Sequence, residues 1–390
     1  MNRKRIHVSL IVFPECDPSI VYGVFDTLWF AGSRWEAGKG LNRDEALFDP
    51  QLVTADSGPL LLCTGVTIVP QATINEVART EVVFVPNVMV YSPNDLRALD
   101  RRLLDWIVRM HANGAHLYAA CGGSLVLAEA GLLHGQQATT HVGYAPLFRQ
   151  QYPNVDLHED RILVQTGAGH SILCCGGASS WQDLALLLIA KTAGTEEAIR
   201  VSKFFLYQWH RDGQLPYASM AANVQHGDAV ILRCQTWLAE NYERPDIVAA
   251  LARRSGLPKR TFDRRFKAAT GYSPLAYVQA LRVEEAKHLL ETGNQPIEAI
   301  AEEVGYADLA SFRRLFRRLS GISPGEYRRK LQLPPIIGQL AGPQRAPEPR
   351  GIKRKAPRAQ DLPQAARTGT ASPAGRRRRA AARPARSARG

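Results

Sequence analysis

One stretch of this chain places a nucleophile on the kind of turn that could activate it. AHLYAACGGSLVLAEAGLL, residues 115–133, reads as strand, cysteine, two glycines, helix. A side chain on so sharp a strand-to-helix turn stands at the end of a sheet, with backbone N–H groups and a helix N-terminus beside it to stabilise an anion. Such surroundings lower a thiol pKa, so Cys121 is expected to lean towards thiolate, and His141 in ATTH (138–141) is the candidate base. A thiol with a distant imidazole and no orienting carboxylate lacks the third member of a nucleophilic constellation. Cys121 and His141 are therefore vestigial candidates only, and no catalytic residue is assigned. The expected role of the elbow is to line a ligand pocket, with Cys121, Gly122, His141 and Asp183 as candidates. Asp183 follows Trp181 at the start of a helix, where it favours the macrodipole and can also face that pocket.

These residues need a sheet to hold them. Residues 6–210 alternate strand and helix, the pattern of an α/β domain with a mostly parallel sheet. Strands are expected at 6–13, 51–55, 81–86, 115–120, 161–165 and 171–175, and helices near 19–33, 94–111, 122–131, 178–193 and 195–208. LLLCTGVTIVP (60–70) fits a small hairpin, and Cys174 and Cys175 fall in a buried strand. Asp26, Trp29 and Phe30 lie on the first helix, where the aromatics suit packing or dimer contacts. From 211 to 227 glycine, proline and small residues replace periodicity, as in a linker.

A second kind of chemistry lies further on, where the chain repeats itself. IVAALARRSGLPKRTFDRRFKAATGYSPLAY (247–277) is echoed by IEAIAEEVGYADLASFRRLFRRLSGISPGEY (297–327), a period of about 50 residues. After one inserted residue, Phe262, Phe266, Gly271, Pro274 and Tyr277 answer Phe312, Phe316, Gly321, Pro324 and Tyr327. Each copy reads as helix, tight turn, helix, over about 247–268 and 297–319. Gly256 suits a left-handed cap, and Pro258 a first helical position. With Phe262 and Phe266 turned inward, Lys259, Arg260, Asp263, Arg264 and Lys267 remain outside. That is a helix-turn-helix whose second helix enters a DNA major groove. In the second copy Leu309, Ala310, Ser311 and Arg314 are the residues left to face DNA. A helix from Ser273 to about Glu291 joins the copies. Its length of roughly 27 Å holds two reading helices near one duplex turn apart, about 34 Å.

The doubled unit, with GYSPLAYVQALRVEEAKHLL between its halves, resembles the AraC/XylS DNA-binding domain from about Asp228 to Lys330. The elbow, the GLLHGQQATTH after it and the WQDLALLLI helix resemble the class I glutamine-amidotransferase-like superfamily, in its PfpI-type form, over roughly 1–210. In this order the two resemble GlxA-type regulators. The implied fold is a flavodoxin-like α/β domain (1–210), a linker (211–227), an all-α domain with two helix-turn-helix motifs (228–330) and a basic tail (331–390). The implied function is a sequence-specific transcription factor, responding to a small effector from amine or amino-acid metabolism. Its implied partners are operator DNA, that effector, RNA polymerase and a second copy in a homodimer. Enzymes of the superfamily place a histidine where Gly122 stands, and an acid about where Ile20 stands, which counts against catalysis. The competing classes are a cysteine amidohydrolase or glyoxalase-like enzyme carrying a DNA module, and a non-specific DNA binder driven by the tail.

The charge is unevenly placed. Of the net +13 over 390 residues, residues 1–227 carry 17 Lys+Arg against 21 Asp+Glu, residues 228–330 carry 18 against 13, and residues 331–390 carry 14 against 2. The basicity is mostly tail, so the expectation of DNA binding rests on the repeat. That tail, rich in Pro, Ala and Arg, is expected to be disordered and to attract phosphate without reading sequence. No apolar run approaches the ~18 residues of a membrane span. The opening MNRKRIHVSLIVF runs into Pro14, Glu15 and Asp17 and reads as a first strand, and the six scattered cysteines suggest neither disulfides nor zinc. Neither cofactor, metal nor membrane is expected, and the expected compartment is the cytoplasm.

Overall fold

A computed structural model describes residues 4–36, 40–220 and 226–334. The first half is built on a seven-stranded sheet: β1 (Ile6–Ile11), β2 (Phe48–Thr54), β3 (Ala72–Thr73), β4 (Val82–Val85), β5 (His116–Ala120), β6 (Leu163–Thr166) and β7 (Ile172–Cys175). The spatial order is β6-β7-β5-β4-β1-β2-β3, parallel throughout except for β6 against β7. Buried on both faces, β4 reads as a continuous apolar run, VVFV, as a central parallel strand does, while β1 carries His7 and Ser9 among its apolar residues. Helices α1 (Pro18–Phe30), α2 (Pro93–Ala98), α3 (Arg101–Ala112), α4 (Gly123–Glu129), α5 (Ala145–Gln151), α6 (Trp181–Ala193) and α7 (Thr195–Phe205) complete this half. They pack in two groups, α1 with α6 and α7, and α4 with α2 and α3.

The expected strands and the hairpin (Leu60–Leu61 with Thr67–Ile68) are present. The single helix expected over 94–111 is two, because Leu99 is extended and the Asp100 side chain caps a fresh start by accepting from Arg102 N–H. The described start of the expected linker, residues 211–220, is tied to the α/β half. It holds a short 3-10 turn (Leu215–Tyr217) and a buried Gln214, whose Nε2 donates to the Thr140 carbonyl at 2.9 Å and whose Oε1 accepts from Val142 N–H at 3.2 Å.

The second half comprises α8 (Ala229–Leu238), α9 (Ile247–Ser255), α10 (Lys259–Thr270), α11 (Pro274–Thr292), α12 (Ile297–Glu303), α13 (Leu309–Ser320) and α14 (Pro324–Leu331). The repeat becomes two near-identical cores. Phe266 meets Tyr277 edge-on at 5.3 Å and 87°, and Phe316 meets Tyr327 at 5.4 Å and 85°. Helix α11 serves both, giving Tyr277, Val278 and Leu281 to the first core and Val283, Ala286 and Leu290 to the second. Between the two sets the buried Arg282 donates to the carbonyls of Tyr242, Arg244 and Gly305, tying the halves together. Gly256 takes the left-handed cap at φ 67°, whereas Pro258 stands one residue before the helix, its ψ of 139° extended. Helix α14 reaches Leu331, which packs on the second core, so order continues past the expected start of the tail. From residue 335 the basic tail lies outside the described residues.

Candidate effector pocket and DNA-reading helices

β5 and β7 run parallel and in register, Ala120 beside Cys175, so the turns that follow them emerge side by side at the carboxyl edge of the sheet. Open α/β sheets bind ligands at that edge. The first turn is the elbow. Cys121 takes φ 57°, a left-handed strain for a residue with a side chain, as a nucleophile elbow requires.

The chemistry stops at that backbone. Cys121 is only 3 % exposed, and burial pushes its thiol up to about 12. The expected lean towards thiolate is thus overturned, because desolvation outweighs the helix N-terminus. The N–H of Gly122, the natural oxyanion donor, is already engaged, donating to Asn87 Oδ1 at 2.9 Å. Asn87 Nδ2 in turn donates to Asp17 Oδ2 at 3.0 Å, and Asp17 Oδ1 caps α1 by accepting from Ile20 N–H. A Cβ at residue 122 would lie 2.6 Å from Asn87 Oδ1 and 2.7 Å from the Val88 carbonyl, so the histidine found there in enzymes does not fit. Ile20 is core.

His141 accepts the Gly143 N–H on Nδ1 at 3.0 Å, which leaves its proton on Nε2, and burial lowers its pKa. It faces a cavity of about 450 Å³ that Ser19, Val142, Ile162, Ser179, Trp181, His210 and Tyr217 also line. Asp183 is 3 % exposed at the start of α6 and points at His210, accepting its backbone N–H at 3.1 Å and its Nδ1 at 2.5 Å. Of the four residues expected to form a pocket, only His141 lines this cavity. Asp183 stands behind His210, and Cys121 and Gly122 are not among the lining residues.

Sequence reading missed His210, Ser179 and Asn87. His210 lies 27 residues from Asp183 in an aperiodic stretch, so no spacing linked them. The only hint was a histidine beside a tryptophan just after the last helix of the α/β half.

The segment carrying His210 also reaches the second half. Asp212 accepts from Lys330 Nζ at 2.7 Å, and the Ala218 carbonyl accepts from Lys287 Nζ of α11 at 2.6 Å. Lys287 is 5 % exposed and also pairs with Glu284 at 2.9 Å.

On α10, Phe262 and Phe266 are buried, and Arg260, Arg264 and Lys267 are exposed with no side-chain partner among the described residues. Lys259 instead pairs with Asp263 at 3.0 Å. On α13 the face is more occupied. Ser311 Oγ donates to Asp308 at 2.5 Å, Arg314 donates to Ser311 at 2.8 Å, and Leu309 packs half-buried on the second core. Of the residues expected to face DNA there, Ala310 is exposed and unencumbered.

An α/β domain followed by a doubled helix-turn-helix is the architecture of a DNA-binding regulator. Residues 37–167 match the DJ-1/PfpI family, and residues 251–330 match a helix-turn-helix domain. The HTH-type transcriptional regulator CdhR of Pseudomonas aeruginosa is 27% identical over 303 residues, covering 77% of this chain and 87% of the relative. GlxA of Rhizobium meliloti, also an HTH-type transcriptional regulator, is 30% identical over 227 residues, covering 57% and 68%. The chain belongs to this family of HTH-type transcriptional regulators, which join a DJ-1/PfpI domain to an AraC-type helix-turn-helix domain. Its relatives are regulators rather than enzymes, and so is this chain.

Proposed function

We propose that this regulator reads an operator through α10 and α13, with Arg260 and Arg264 as the principal base-reading side chains, and that a small molecule bound in the α/β domain controls it. Lys259, Asp263, Lys267, Ala310, Ser311 and Arg314 complete the DNA-facing set, with Leu309 limited to apolar contact. The observation that carries this reading is the pair of exposed, unpartnered guanidinium groups on one outward face of α10. Arginine pairs bidentately with guanine O6 and N7, worth about 1–3 kcal/mol of discrimination. On α13 the Asp308–Ser311–Arg314 network must open before those groups reach bases, so that half of the operator is read less sharply. Selection from random DNA tests this. The expected result is a site with one well-defined half, and an Arg264→Ala variant that binds more weakly and loses preference at one base position. Equal information in both halves, with an unchanged Arg264→Ala footprint, would remove the assignment.

The regulator acts where the chromosome is, the cytoplasm of a bacterial-type cell, with RNA polymerase as its downstream partner. It works as a homodimer, for which α7 and the turn after it offer an apolar surface. Ile199, Phe204 and Leu206 are exposed there, Leu206 at 84%.

A further inference from the structure

The cavity at the carboxyl edge carries an arrangement that DNA reading does not use. Asp183 fixes the Nδ1 proton and the ring plane of His210, which turns Nε2 towards Ser179 Oγ at 3.2 Å. This is how an orienting carboxylate sets an imidazole for a task at its far nitrogen. His210 and Ser179 both line the cavity, while Asp183 lines the neighbouring hollow behind the ring. The other polar groups of the wall are donors or already engaged. His141 keeps a proton on Nε2, the Ser19 hydroxyl is spent on Asp17 Oδ1 at 2.8 Å, and Gln214 is committed to backbone partners at both ends of its amide. Among the described residues no Asp, Glu, Lys or Arg lines the cavity, and Trp181, Ile162, Val142 and the Tyr217 ring supply apolar wall.

Donors without an acid call for an anionic head. Two imidazoles without a lysine or arginine suit a singly charged carboxylate rather than a phosphate, which attracts guanidinium or ammonium partners. The volume lies within the roughly 300–1,000 Å³ of small-molecule sites. We propose that this cavity binds a small carboxylate, its head held by His210 and Ser179 and its apolar body against Trp181 and Ile162. Recognition falls to the Asp183–His210 pair rather than to the Cys121 elbow. The Asp183 carboxylate, 2.5 Å from Nδ1, holds the ring in that orientation. This assignment names the ligand class for the sensing role proposed above and rests on it for its consequence. His210, Gln214 and Tyr217 line the cavity, while Asp212 and Ala218 of the same segment are gripped by Lys330 and Lys287 of the DNA-reading half. A ligand that moves His210 therefore pulls on a strap fastened to α11 and α14.

Calorimetry on the full chain, with benzoate and hexanoate against benzamide and hexanamide, tests the site. The acids should bind at least tenfold more tightly than the amides. Ser179→Ala, a surface change that leaves the fold intact, should weaken acid binding several-fold, and His210→Ala at least tenfold. Cys121→Ser should bind like the parent. Amides binding as well as acids, binding lost only in Cys121→Ser, or no binding of any probe would overturn the proposal. Covalent labelling of Ser179 by a fluorophosphonate would also overturn it, since the array would then be a nucleophile and not a cradle. Coupling is read separately, by operator affinity with and without the acid. Lys287→Met should retain acid binding and lose its effect on DNA. Acids that bind with the expected mutational pattern but leave operator affinity unchanged in the parent would sink the sensing role and spare the site.

Discussion

A strained elbow is not by itself an active site, and Cys121 shows which interactions decide. Its φ of 57° is that of an exposed nucleophile, yet the thiol is buried and its neighbour's N–H is spent on Asn87. Burial pushes the thiol up to about 12, so between pH 7 and 9 it stays protonated and unreactive. Cys63, the one exposed cysteine, is raised by a smaller burial, with Glu15 adding to the shift. Alkylation by iodoacetamide at pH 8, read by peptide mass mapping, should therefore modify Cys63 first and leave Cys121 largely intact. Cys121→Ser should keep effector-dependent transcription within a few-fold, because the shape of the turn is nearly unchanged. Rapid modification of Cys121, or a peroxide response lost in the serine variant, would reinstate it as a reactive group.

At the level of elements, the DNA-reading half depends on how α8 is fastened to α10. Asp228 caps α8, accepting from Val230 and Ile231 N–H, and also accepts two hydrogen bonds from Arg265 on α10, at 2.8 and 2.7 Å. The Arg265 hydrogen bond, ahead of the capping amides, holds the Asp228 carboxyl below the ordinary aspartate range. A folded pKa below the unfolded one means that this contribution is fully present above about pH 4 and is lost as pH falls further. Asp228→Ala should cost about 1–2 kcal/mol, a typical cap loss, and flatten the acid limb of the stability curve. Chemical denaturation at pH 7 and pH 3 measures both. Equal destabilisation at the two pH values would show that the carboxylate's charge is irrelevant.

At the level of the whole molecule, charge and assembly separate. Residues 331–390 carry 14 Lys+Arg against 2 Asp+Glu, an attraction for phosphate with no reading geometry attached. Deleting 335–390 should lower affinity for all DNA sequences and flatten the salt dependence while sparing sequence preference. Lost preference in the truncated chain would assign the tail a reading role. Dimerisation through the α7 surface is tested at Leu206, whose φ of 58° is left-handed, a conformation aspartate tolerates better than leucine. Leu206→Asp should therefore disturb assembly more than folding. Sedimentation should show the parent as a dimer and the variant as a monomer, and a parent that sediments as a monomer at micromolar concentration would remove the interface.

Much of this was legible along the chain because it is local or repeated. The alternation of strand and helix, the elbow at Cys121, the caps at Gly256 and Ser273 and the inward phenylalanines of both repeats each depend on a few adjacent residues. The spacing of side chains alone determines those features. Tertiary structure decided whatever joins distant segments. It set Asp183 against His210, Asn87 on the N–H of Gly122, Arg282 on three carbonyls from two distant turns, and Lys287 on Ala218. It also reversed the sign of the Cys121 shift, because a helix N-terminus is visible in sequence and the desolvation opposing it is not. Burial is a property of everything packed around a group, and no window of sequence contains it.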